Sequence, residues 1–249
     1  MWTAAAGMSA QQTVLDVIGN NVANVNTPGF KRACAALADL AYEEERPATQ
    51  TLPALSVGAG ARAASTLPVF TQGALTETGA QTDLAINGEG FFVLDAPEGR
   101  LYTRAGNFRV APDGYLTTPE GYRLDGISPV PQGYTGISVI RDGRVYAVMP
   151  DNSQRDLGRV RLARFVSPSG LEAVGGNVYR ESAASGPASF FDPGEGSGCT
   201  VLQGFLERSN VDVANELVSV IAAQRAYDLC AKIVQVQDEM LSTANAMKR

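Results

Sequence analysis

Apolar residues recur every seven positions at the amino end of the chain. Met1, Met8, Leu15 and Val22 form one series, and Ala4, Gln11, Ile18 and Val25 form its companion. Seven residues are about two turns of α-helix, so the two series fall on one stripe, with Gln11 as a polar interruption. Pro28 and Gly29 predict the end of this helix. A second, short helical stretch is expected from Lys31 to Glu45, ending before Pro47.

The carboxyl end carries the longest pattern. Val213, Leu217, Val220, Gln224, Tyr227, Ala231, Val234, Asp238 and Leu241 alternate spacings of four and three, a heptad seam with polar breaks at Gln224 and Asp238. Beside it runs a second stripe of Val218, Ile221, Leu229, Ile233, Val236 and Met240, interrupted by Arg225. Asn210 or Asp212 can cap the start. From Val213 to Leu241 such a helix is about 43 Å long at 1.5 Å per residue. One apolar stripe needs one partner surface, and two stripes need partners on two sides. Pairing with the amino-terminal helix covers one. The other predicts packing between molecules, unless the helix lies in a groove of its own β domain.

Between the ends the grammar changes. Residues 46–82 are poor in charge and rich in Ala, Thr, Gly and Pro, and are expected to be an extended connector. From Asp83, short runs of aromatic, β-branched and leucine residues alternate with turns such as Asn87-Gly88, Pro112-Asp113-Gly114 and Arg141-Asp142-Gly143. Close, regular turns signal an all-β unit of hairpins. Strands are expected at 90–95, 101–104, 122–125, 137–140, 144–149 and 158–166. Residues 167–200 are expected to be loop-like, with a last strand over 201–207. The predicted class is α+β: discontinuous terminal helices forming a coiled-coil-like domain, and a central all-β domain. The expected segments are 1–45 (helical), 46–82 (connector), 83–166 (β domain), 167–208 (connector with loop and strand) and 209–249 (helical).

Composition narrows the function. The 249 residues carry a net charge of −6, with 45% hydrophobic and 18% charged residues. That suffices for a core and leaves no basic footprint for nucleic acid. Histidine is absent, which removes the commonest general base and metal ligand together. Cys34, Cys199 and Cys230 are scattered and lack metal or redox spacing. Gly58-Ala59-Gly60-Ala61-Arg62-Ala63 has dinucleotide-fingerprint spacing, but Pro68 breaks the helix that chemistry requires. Gly194-Glu195-Gly196-Ser197-Gly198 has no Lys-Ser or Lys-Thr after it, so a P-loop is excluded. Neither catalytic residues, a metal nor a cofactor are expected. A folded-together carboxylate pair in a cleft, or a ligand-binding module with helical dimerisation tails, are the competing readings. No segment is long and apolar enough to span a membrane, so no membrane insertion is expected. The first positive charge is Lys31, unlike a secretory signal, so the chain is expected to be cytosolic or exported by a route that needs no cleaved signal.

Three stretches resemble the flagellar axial family of rod and hook proteins. The first runs from Gly19 to Arg32 and includes Asn20, Asn21, Asn24, Thr27, Pro28, Gly29 and Phe30. The second runs from Thr71-Gln72-Gly73 through Asp83-Leu84-Ala85-Ile86-Asn87-Gly88 to Leu94. The third is Gln203-Gly204-Phe205-Leu206-Glu207-Arg208-Ser209-Asn210, continuing through Gln224-Arg225-Ala226-Tyr227 to Leu241. Length fits the distal-rod branch or the longer proximal-rod branch. Leu52-Pro53, Gly175-Gly176-Asn177-Val178-Tyr179 and Asn215-Glu216-Leu217-Val218 resemble the distal branch more. The resemblance implies a helical homopolymer whose inner tube is built from both terminal helices, with the β domain outside. Its implied partners are copies of itself, proximal-rod and hook proteins, and surrounding ring or bushing proteins. It implies a place in the periplasm-spanning rod of the basal body and export by the flagellar type III route. The expected subunit interface is Met8, Leu15, Ile18, Val22 and Val25, with Val213, Leu217, Val218, Val220, Ile221, Tyr227, Leu229, Ile233, Val234, Val236, Met240 and Leu241.

Overall fold

A computed structural model describes residues 2–46 and 55–247. Met1 and the Leu52-Pro53 pair lie outside the described residues. The chain forms two compact units: Met1–Ala23, Ala33–Pro68 and Val211–Arg249 in the first, Asn24–Arg32 and Val69–Asn210 in the second.

The first unit contains helix α1 (Trp2–Ala23), strands β1 (Ala33–Asp39), β2 (Tyr42–Arg46), β3 (Leu55–Gly58) and β4 (Ala61–Pro68), and helix α2 (Val213–Met247). β1 pairs antiparallel with β4, and β2 with β3. The helix expected over 31–45 is therefore strand, and the 46–82 stretch, expected to be an extended connector, contains paired strands. The run Ala33-Cys34-Ala35-Ala36-Leu37-Ala38 has good helix propensity, but pairing with 61–68 overrides it. α1 packs against α2, β1 and β4. Asp212 is the cap of α2: its carboxylate accepts the Ala214 N–H at 3.0 Å, and its carbonyl accepts that of Glu216. Glu216, in the first turn, places negative charge at the positive end of the helix dipole.

The second unit contains β5 (Leu75–Glu77), β6 (Leu84–Asn87), β7 (Phe91–Ala96), β8 (Gly99–Thr103), β9 (Arg109–Val110), β10 (Leu116–Thr117), β11 (Arg123–Leu124), β12 (Gly136–Val139), β13 (Arg144–Val148), β14 (Gln154–Arg159), β15 (Leu162–Arg164), β16 (Glu172–Gly175), β17 (Val178–Arg180), β18 (Ser189–Phe191), β19 (Thr200–Gln203) and β20 (Phe205–Glu207). The largest sheet runs β16-β17-β8-β7-β11-β10-β9, with β15 bridging β7 to β18; β12-β13-β14 form a second. β16, β17 and β18 occupy part of the stretch expected to be loop. The expected strands at 158–166 and 201–207 are each split in two.

β7 is apolar from Phe91 to Leu94 because both of its faces are covered there. Phe92 and Leu94 join the larger core with Phe108, Val145, Val160 and Leu162, while Phe91 and Val93 join the smaller core with Tyr102, Phe165 and Tyr179. The first and last strands of the unit close on each other: β5 pairs with β20 and β6 with β19.

Candidate assembly surface and buried charge cluster

The first unit pairs its helices through small residues. On α1 the buried positions are Ala4, Ala10, Ile18 and Asn21. On α2 they are Glu216 and Ala223, and Val220, Ala226, Cys230, Ala231, Val234 and Gln237 are half-buried. A Cβ built on Gly7 would lie 3.1 Å from Cys230 Sγ, so the helices meet closely there. This sheltered face takes in part of the heptad seam: Val220, Ala231 and Val234 lie on it, but Val213, Leu217, Tyr227 and Leu241 do not. The reason is volume: alanine, glycine and cysteine let two helices approach more closely than leucine and tyrosine do.

The bulky residues of α2 are consequently left outside. Val213, Leu217, Val218, Ile221, Tyr227, Leu229, Ile233, Val236, Met240 and Leu241 are between 38% and 67% exposed. Scattered exposed apolar residues need no explanation, but ten on one helix form an uncovered surface. Covering them stabilises an interface by about 1 kcal/mol each, on the order of 10 kcal/mol per copy before the entropy of association. On α1, Met8, Leu15 and Val22 are half-buried and Ile18 is buried; Val25, just beyond the helix, is half-buried.

The motif residues do local structural work. Asn21 is 1% exposed, and its side-chain amide donates to the Ala33 carbonyl at 2.8 Å while its oxygen accepts the Ala33 N–H at 2.9 Å. Asn24 accepts the Thr27 N–H and hydroxyl, forming the turn after α1; Asn20 lies on the exposed side of the helix end. Gly29 has φ +70°, and a Cβ there would sit 2.5 Å from the Ala105 backbone nitrogen, so only glycine fits. Phe30 is half-buried, and its N–H donates to the Thr27 carbonyl.

Beside this turn lies a cluster that the sequence pattern did not single out. Glu207 accepts the Lys31 ammonium at 2.6 Å and the Gly73 N–H at 2.8 Å through Oε1, and faces Arg104 Nη1 at 3.4 Å through Oε2. All three charged side chains are almost fully buried. Two cations and one carboxylate leave an excess positive charge, and carbonyl oxygens answer it: Lys31 donates to Thr71 at 2.7 Å and Arg104 to Gly88 at 3.0 Å. Burial holds both cations below their ordinary range, even though Glu207 favours their charged forms. The only sequence signal was charge inside two motif stretches, at Lys31 and at Glu207.

Among the described residues there is no cluster of three metal-binding side chains, and no helix is long and apolar enough to cross a membrane.

Comparison with known proteins settles the family. Residues 1–31 match the family model of flagella basal body rod proteins, residues 85–147 the flagellar hook protein FlgE/F/G D1 domain, and residues 202–247 the flagellar basal body rod FlgEFG protein C-terminal model. The flagellar basal-body rod protein FlgG of Borreliella burgdorferi is 41% identical over 261 residues, covering 100% of this chain and 98% of its own. The chain belongs to the FlgG family of flagellar basal-body rod proteins. FlgG of Caulobacter vibrioides is 39% identical over 99% of this chain and 98% of its own. FlgF from the same organism is 35% identical over 96% of this chain and 94% of its own. The two end matches coincide with the segments that carry the helices, and the middle match lies within the β unit. FlgG-family membership makes the chain an axial structural protein of the flagellum.

Proposed function

We propose that the chain is the subunit of the distal rod, self-assembling into a helical tube that transmits torque from motor to hook. The observation that carries this is the row of ten bulky apolar side chains on α2 that the chain's own fold leaves uncovered. In the tube, α1 and α2 pack coiled-coil fashion against those of neighbouring copies, and the β unit forms the outer layer. A surface of one copy seated on a different surface of the next is heterologous, and such contacts propagate into open helical polymers. The interface residues on α1 and α2 act by burial alone, so no catalytic step, cofactor or metal is part of this role. Proximal-rod and hook proteins meet the ends of the tube, and ring or bushing proteins surround it where it crosses the periplasm. Subunits reach it through the flagellar type III route.

The test is Ile233→Asp in the full chain. Ile233 is half-exposed, so the subunit should unfold within about 0.5 kcal/mol of the parent, as surface substitutions do. Concentrated parent protein should form tubes in electron micrographs, and the variant should not. Tubes formed equally by the variant would remove the α2 surface from the interface.

A further inference from the structure

The second unit is assembled from two stretches of chain, and its edges lie at Asn24, Arg32, Val69 and Asn210. Each edge is a point where the chain passes to or from the first unit. Three segments hold these edges: 24–32, 69–74 and 205–210. They are far apart in sequence, yet two side chains stitch them together. Glu207 reaches the first segment through the Lys31 ammonium and, by its backbone carbonyl, the Gly29 N–H at 2.7 Å. It reaches the second through the Gly73 N–H. Asn210 accepts the Arg32 N–H at 2.7 Å and donates to the Val69 carbonyl at 2.8 Å and to the Thr71 hydroxyl at 2.8 Å. Two backbone bonds complete the stitching, Val69 N–H to the Arg32 carbonyl and Arg208 N–H to the Ala74 carbonyl. Each of these bonds joins two different segments.

We propose that Glu207 and Asn210 form a latch, through which these three segments order and disorder as one cooperative unit, separately from the β core. Segments 24–32 and 69–74 are irregular, and segment 205–210 is β20 followed by an irregular end; ordering such runs costs about 1–2 kcal/mol of backbone entropy per residue. The carboxylate supplies the common partner, a buried anion that both Lys31 and Arg104 face. α1 ends one residue before the first segment, and α2 begins three residues after Asn210. The latch therefore ties together the stretches of chain that are next in sequence to both terminal helices.

Amide hydrogen exchange on the full chain reads this directly, comparing the parent with Asn210→Ala and Glu207→Gln. Asn210→Ala removes no buried charge and is the variant that retains the fold. With either substitution, amides at Gly29, Arg32, Val69, Gly73 and Arg208 should exchange at least tenfold faster together, while β7 and β8 keep parental protection. Faster exchange confined to 205–210 would overturn the latch, because the segments would then be independent. An equal rise in β7 and β8 would also overturn it, because the segments would then belong to the core's own unfolding. If Glu207→Gln does not fold, the Asn210→Ala pattern decides alone.

Discussion

At the residue scale, Glu207 illustrates how one buried charge can organise its surroundings. Taking a carboxylate and two cations out of water costs several kcal/mol per ion, and their mutual pairing, the Gly73 N–H and the Thr71 and Gly88 carbonyls offset it. The balance makes the three charges unequal in mutation. Glu207→Ala leaves two buried cations facing each other and the Gly73 N–H without its acceptor, and should cost about 3–5 kcal/mol in denaturant unfolding. Lys31→Met leaves a one-to-one Arg104–Glu207 pair and should cost less than half as much. Equal losses would mean that the excess positive charge is not what the carboxylate relieves. Gly29→Ala meets both the positive φ and the Ala105 backbone, and should cost more than about 2 kcal/mol.

Tyr179 gives a pH signature at the same scale. Burial among Phe70 and Phe91 pushes its phenol from 10.0 up to about 12. Below pH 10 the phenol is neutral in folded and unfolded chains alike, and stability does not depend on it. Above pH 10 the unfolded chain loses the proton first, so stability falls between pH 10 and about 12, approaching about 3 kcal/mol. Lys31 works in the opposite direction, because its folded pKa is lowered: its contribution rises with pH until the unfolded value of 10.5. The difference between parent and Tyr179→Phe isolates the phenol. That difference should change across pH 10–12, and a flat difference would contradict the burial of the hydroxyl.

At the element scale, most of what was legible came from periodicity and turn chemistry. The α2 pattern, its Asp212 cap and the turns bounding β7, β8 and β13 could be read directly, because each rests on residues close in sequence. β1 was not legible, since an alanine-rich run becomes a strand only when 61–68 lies beside it. β16 to β18 were missed because strands of three or four residues carry too short an apolar run to register. The buried cluster was not legible either: Lys31 and Glu207 are 176 residues apart, and nothing local marks them as partners. Which face of α2 the chain itself covers was left open by its two apolar stripes. Heptad reading favours large residues, whereas the intramolecular contact selects small ones. Gly7 tests this. Gly7→Leu should push α1 from α2 at Cys230 and weaken the first unit by about 1–3 kcal/mol, as overpacking does. Cys230→Ala should recover part of the loss, and no recovery would place Gly7 away from the contact.

At the scale of the whole molecule, both units are discontinuous in sequence. The first draws on both ends of the chain and on the β1–β4 hairpin, and the second closes by pairing its first strands with its last. The second unit's β core is satisfied within itself, whereas α2 of the first unit leaves ten bulky apolar side chains exposed. That contrast is what assembly resolves: the chain supplies a finished fold and an unfinished surface. The measurement that tests this most directly is oxidative side-chain footprinting of α2, comparing dilute subunit with concentrated, assembled protein. Leu217, Leu229, Ile233 and Met240 should label readily in the dilute subunit and become several-fold protected in the assembly, while Val166, exposed on the β unit, labels alike in both. Equal labelling of those four α2 positions before and after assembly would contradict the account.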